Sequence, residues 1–197
     1  MSLDPRDLRV GASYERARAD ARSDAIELRR RRRVDLGDLM SVVFESPETL
    51  AAAAEEALRS ERIEDAEGVK EEAGRFGLLL APAGGLAATL FLEVSDAAEM
   101  ASVLPELEGI AESVQLEVDG SHVPATAFPF HAAATGAAPV AYLRFELSAS
   151  QREAWIEGAR VLLRVVHPRY SASTELSDEQ RATIAADLTP AAAGERG

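Results

Sequence analysis

The sequence predicts an α+β fold: a single domain over residues 1–188 in which a mixed, mostly antiparallel sheet of about six strands packs with helices. Val114, Leu116 and Val118 alternate with Gln115, Glu117 and Asp119 and run into Asp119-Gly120, the pattern of a half-buried strand entering a two-residue hairpin turn. Helical and strand patterns are mixed along the chain rather than segregated. With 197 residues and 47% hydrophobic content, the chain has material for one core without a disulfide or metal staple.

A first helix is expected over residues 12–33, where Tyr14, Ala17, Ala21, Ala25 and Leu28 form a stripe. It ends in the run Arg29 to Arg33, which complements the helix dipole and pairs with Glu27; an anion site is the other reading of that run. Leu39 to Glu45 reads as a short strand, with Ser46 as the N-cap and Pro47 as the first residue of a second helix. That helix turns Leu50, Ala54, Ala57 and Leu58 inward, and Gly68 is expected to interrupt it before a further helix over Val69 to Phe76. Residues 78–85 are turn-rich, and the apolar run Leu86 to Val94 belongs at the sheet centre. Asp96 and Glu99 form a capping box for a helix of about ten residues.

After the Asp119-Gly120 turn, Pro124 places the returning strand at a sheet edge, because it has no N–H for a ladder. Phe128 to Pro139 is the softest stretch, and Val140 to Leu147 follows as a strand. Ser150 to Glu153 reads as the capping box of a short helix carrying Trp155. Val161 to Val166 is a strand closed by His167-Pro168, and the last helix runs from Ser177 to Leu188, leaving 189–197 as a frayed tail. Without the hairpin's return strand, residues 86–166 follow a ferredoxin-like βαββαβ order.

Composition narrows the chemistry. The chain has no cysteine, which removes disulfides, thiolate nucleophiles and iron–sulfur ligation. A net charge of -13 opposes binding to a nucleic-acid backbone. No apolar run reaches the length of a membrane span and no signal sequence is visible, so the expected location is cytoplasmic. No GxGxxG, phosphate loop or nucleophile elbow occurs. His122, His131 and His167 with Glu61, Glu64 or Asp65 suggest a metal site, but their spacing puts no two histidines on one helical face, and His167 at a strand end is the best of them. No metal ligand, cofactor or catalytic residue is assigned. In the cluster Arg59, Glu61, Arg62, Glu64 and Asp65, Arg62 is either an ion-pair partner at the edge of the core or, with Arg144, a forked donor for a carboxylate or phosphate ligand.

Seven short segments in order resemble a bacterial family known as domain of unknown function 3501: RRRVDLG (31–37), Val43-Phe44-Glu45, LRSERI (58–63), ATLFLE (88–93), LEGI (107–110), LRFEL (143–147) and HPRY (167–170). The resemblance implies association with a rubrerythrin-like protein and an iron–sulfur oxidoreductase, and through them a link to redox or oxidative-stress metabolism. The chain departs from the family pattern at Phe76-Gly77, at Gly136-Ala137-Ala138 and at Val140-Ala141-Tyr142, where polar or titratable residues are usual. The expected function is therefore that of a non-enzymatic accessory or interaction protein. The alternative is a small-anion or metal-binding protein, or an enzyme, with Glu61, Arg62, Arg144 and His167 in one cleft.

Overall fold

The computed structural model describes residues 3–128 and 138–189. Eight strands are present among them: β1 (Arg33–Leu36), β2 (Met40–Glu45), β3 (Gly85–Leu92), β4 (Val114–Val118), β5 (Ser121–Phe128), β6 (Val140–Glu146), β7 (Val161–His167) and β8 (Tyr170–Glu175). The helices are α1 (Gly11–Arg32), α2 (Pro47–Glu61), α3 (Ala66–Gly77), α4 (Ala97–Val103), α5 (Ala149–Ile156) and α6 (Asp178–Leu188). All strands join one sheet in the order β1-β2-β3-β6-β5-β4-β7-β8, and every neighbouring pair is antiparallel.

The sheet curls until its edge strands meet. Side chains, not ladder bonds, bridge the resulting seam: Thr174 Oγ1 donates to Asp35 O at 2.6 Å and Tyr170 Oη donates to Leu36 O at 2.8 Å. From α6, Gln180 Nε2 donates to Arg33 O. The outcome is a nearly closed barrel with little exposed edge for another strand to pair with.

An eight-stranded barrel is just wide enough for its inward side chains to fill it. Here Phe44, Leu116, Phe145 and Leu163 do so, and Trp155, Ile184 and Leu188 add to the same core from α5 and α6. A second apolar layer lies outside the barrel, where Leu50, Ala54 and Leu58 of α2 and Val69 and Ala73 of α3 pack with Leu79 and Leu80. This double cover explains why all six residues of β2 are buried. β8 alternates half-buried and exposed residues, and Pro124, Thr126, Val166, Ser171 and Ser173 leave the outer face of β5, β7 and β8 open to solvent.

The α+β class stands, but the six-strand, ferredoxin-like core is overturned. A split βαβ needs parallel neighbours, and β5, left out of that reading, instead pairs with both β4 and β6. Pro124 does not mark an edge either. β5 pairs with β4 through residues 121–124 and with β6 through residues 125–128, so the proline sits where pairing changes sides. β1 starts at Arg33, the end of the arginine run, and is only four residues long, and β8, with Ser or Ala at three of its six positions, carries little apolar signal. α2 ends at Glu61 rather than at Gly68, because Arg62 adopts the left-handed cap at φ 58°. The cap of α5 is Ser148, two residues before the expected one, with Gln151 as its reciprocal partner. α4 has seven residues, not about ten. His131 and most of the soft stretch and the tail fall outside the described residues.

Candidate functional site

The four residues expected to share a cleft fall at three places: Glu61 and Arg62 at the end of α2, Arg144 on β6 and His167 at the end of β7. Glu61 is the last residue of α2, exposed, with a carboxylate oxygen 3.9 Å from Arg75 Nη2. Arg62 follows as the helix cap and lines a polar cavity of about 540 Å3 with Arg59, Glu15 and Glu64; Arg59 is paired with Glu15 at 2.6 Å.

Arg144, on the outer face of β6, donates through Nη2 to the carbonyls of Leu78 and Leu80. Its guanidinium lies 3.9 Å from the centre of the Phe128 ring. At the β7–β8 turn, the Arg169 N–H donates to His167 Nδ1 at 3.2 Å, which assigns the proton to Nε2, 2.9 Å from the carbonyl of Glu108. Both ring nitrogens therefore tie loops together. Among the described residues no group of three or more His, Asp or Glu side chains is placed to hold a metal ion.

A different set of residues does converge. Where β2 ends and β3 begins, a cavity of about 390 Å3 opens at the end of the barrel, walled by Leu80, Pro82 and Leu86 and reached by Glu45, Arg152 and Asp187. Its size and mostly apolar walls with a few polar groups are those of a small-molecule site.

Glu45 is 5% exposed. Thr89 Oγ1 donates to its Oε1 at 2.6 Å and Thr49 Oγ1 to its Oε2 at 2.5 Å. The Thr49 hydroxyl is itself oriented, because it accepts from Ser46 N at 2.8 Å in the α2 capping box. The cap of α2 and a side chain of β3 thus hold the carboxylate from two sides, which offsets the penalty of burying it.

Asp187 is gripped from below. Arg32, 4% exposed at the end of α1, donates to both its oxygens at 2.7 and 3.1 Å, and this forked pair cancels the charge of Asp187. Arg152, near the start of α5, donates through Nη1 to Leu147 O at 2.7 Å. It lies against Gly84, where φ is +83° and a Cβ would come within 2.8 Å of Nη1. Glycine at 84 is what lets the guanidinium lie there.

These residues are readable in the sequence only in part. Glu45 is a charge at the end of an apolar strand, within the Val43-Phe44-Glu45 segment. Arg152 reads only as a member of a capping box, and nothing in the sequence marks Asp187, which joins the pocket through α6.

No helix among the described residues is long and apolar enough to cross a membrane. No curated protein matches the chain. A crystal structure of a novel protein of unknown function from Burkholderia pseudomallei K96243 is similar, with a TM-score of 0.90 and 27% identity over 96% of this chain and 100% of that one. The barrel is therefore shared at near-full length. The family model described as "Protein of unknown function (DUF3501)" matches residues 2–188, and the chain belongs to that family.

Proposed function

We propose that the chain is a non-enzymatic accessory protein that holds a small molecule in the pocket at the barrel end and acts through a redox partner. One observation carries the binding half: Glu45, whose buried carboxylate has a hydroxyl donor on each oxygen, lines the same apolar-walled cavity as Arg152. A non-enzymatic role is supported by His167, both of whose ring nitrogens bond backbone groups, and by Arg144, whose Nη2 is taken up by the carbonyls of Leu78 and Leu80. The partner half is supported by the family resemblance, which points to a rubrerythrin-like protein or an iron–sulfur oxidoreductase.

Native mass spectrometry of the full chain, after dialysis against a small-molecule extract of its own cells, tests the binding half. The expected result is a one-to-one adduct that Ala83→Trp, a substitution at an exposed lining position, abolishes. An empty protein, an adduct indifferent to Ala83→Trp, or turnover of the bound compound would each overturn the reading. For the partner half, sedimentation with the purified rubrerythrin-like protein and with the oxidoreductase should reveal a complex with one of them; independent boundaries with both at tens of micromolar would remove it.

A second reading, a small-anion site, is favoured by the cavity beside Arg59 and Arg62. It predicts that sulfate raises the melting temperature of the wild type but not of Arg62→Gln. Equal shifts in both would remove it.

A further inference from the structure

We infer that the molecule held at the barrel end is a small zwitterion with an apolar body, of the chemical class of an aliphatic or aromatic α-amino acid. The inference rests on the pocket reading above and adds the ligand's charge pattern. Three side chains with formal charge reach the cavity. Asp187 is neutralised by the two-pronged contact with Arg32, which leaves one negative group, Glu45, and one positive group, Arg152.

Each has bonding capacity to spare. A carboxylate offers about four lone-pair sites, and Glu45 uses two of them on Thr49 and Thr89. A guanidinium has five N–H donors in a planar fork, and Arg152 gives one of them to Leu147 O. The others suit the two oxygens of a ligand carboxylate.

The N-terminal end of α2, which begins at Pro47 beside Glu45, favours the ionised carboxylate there. Between the charged groups, Leu80, Pro82 and Leu86 offer an apolar wall to the ligand body. A simple anion would leave Glu45 facing it, and a simple cation would leave Arg152 facing it. Only a ligand with both charges answers both groups.

The test is isothermal titration of the full wild-type chain with leucine, methionine and phenylalanine. Two analogues of leucine are titrated beside them: 3-methylbutylamine, which lacks the carboxylate, and 4-methylpentanoate, which lacks the ammonium. At least one amino acid should bind, with each analogue about ten-fold weaker or worse, because a charge-assisted hydrogen bond is lost and a charged protein group is left unanswered. Arg152→Met should remove the preference for leucine over the amine, and Glu45→Gln the preference over the acid. The wild-type ligand series decides the matter even if a variant does not fold.

If an analogue binds as tightly as leucine, or if none of the five compounds binds while the cell extract still yields an adduct sensitive to Ala83→Trp, the zwitterion is wrong and the pocket reading stands. If the extract leaves the protein empty, both fall together.

Discussion

The hydroxyl of Tyr170 occupies the space that a side chain on residue 37 would need: a Cβ added to Gly37 would overlap it. Gly37 also has φ +71°, a conformation that costs little only for glycine. The β1–β2 turn therefore fits against Tyr170 at the start of β8 only with glycine at position 37. Through this fit Tyr170 Oη reaches both sides of the turn, donating to Leu36 O at 2.8 Å and accepting from Leu39 N at 3.2 Å.

Tyr170→Phe keeps the ring and removes both bonds, along with the hydroxyl's 3.3 Å contact to Asp38 Oδ1. A half-buried backbone carbonyl and N–H are left without this partner, at a cost of about 1–3 kcal/mol, read as a lower urea midpoint with an unchanged slope. Gly37→Ala should cost at least as much, since strain at positive φ adds to the overlap. Combining the two should cost less than the sum, because phenylalanine has already removed the oxygen that the new methyl meets. Strict additivity would show that the hydroxyl is not what excludes a side chain at 37.

Arg32 and Asp187 form the most enclosed ion pair at the site, with side chains 5% and 20% exposed. Removing one member strands the other in a poorly solvated place, and breaking such pairs costs about 3–5 kcal/mol. Asp187→Asn should therefore destabilise strongly, and Arg32→Met with Asp187→Leu should recover much of the loss. A double-mutant cycle by chemical denaturation measures the coupling; a value near zero would mean that water already solvates Arg32.

Much of this fold was legible because local chemistry and tertiary role agreed. Ser46-Pro47, Asp96 and Ser177 cap helices as their spacing indicates, and β4 alternates buried and half-buried residues as its sequence alternates apolar and polar ones. The barrel was illegible because closure is made by contacts at long range. Thr174 to Asp35 and Tyr170 to Leu36 span more than a hundred residues, and β1 and β8 lack an apolar run of their own. The candidate site was illegible for a related reason. Arg144 and His167 look like chemistry in one dimension, yet they bond backbone carbonyls from remote segments. Glu45, Arg152 and Asp187 look like ordinary surface charges until the barrel brings β2, α5 and α6 to one end.

Tyr14 gives the protein a defined alkaline limb. Its side chain is 2% exposed and its hydroxyl donates to Glu56 Oε1 at 2.9 Å. Burial, and then the hydrogen bond to Glu56, push its pKa up to about 12 from the usual value near 10. The unfolded chain ionises first, so the stability that neutral Tyr14 contributes is whole below pH 10 and drains away as the pH rises toward 12. Tyr14→Phe should be less stable at neutral pH and should lose less between those limits. Urea midpoints of both proteins at intervals from neutral to strongly alkaline pH check this; parallel curves would show that Tyr14 ionises as freely folded as unfolded.

Arg144 should act on the pocket through the loop it holds. Its guanidinium bridges two carbonyls, those of Leu78 and Leu80, while covering the Phe128 ring, and Leu80 is part of the pocket wall. Arg144→Met removes the bridge and keeps much of the apolar stem, so it should cost about 1–3 kcal/mol in stability. The loss should appear locally as faster amide exchange at Leu79 and Leu80, whose N–H groups bond to Phe76 O and Gly77 O in the same turn. Arg144→Lys should recover little, because a single ammonium replaces a planar group that reaches two acceptors while lying over a ring. Hydrogen exchange by mass spectrometry on the segment 76–84 separates the outcomes. Local loosening with the barrel strands unchanged places Arg144 as the clamp of the pocket wall, whereas uniform loosening would make it a general contributor to the core. If lysine restored full protection, the fork geometry would be irrelevant and the charge alone would suffice.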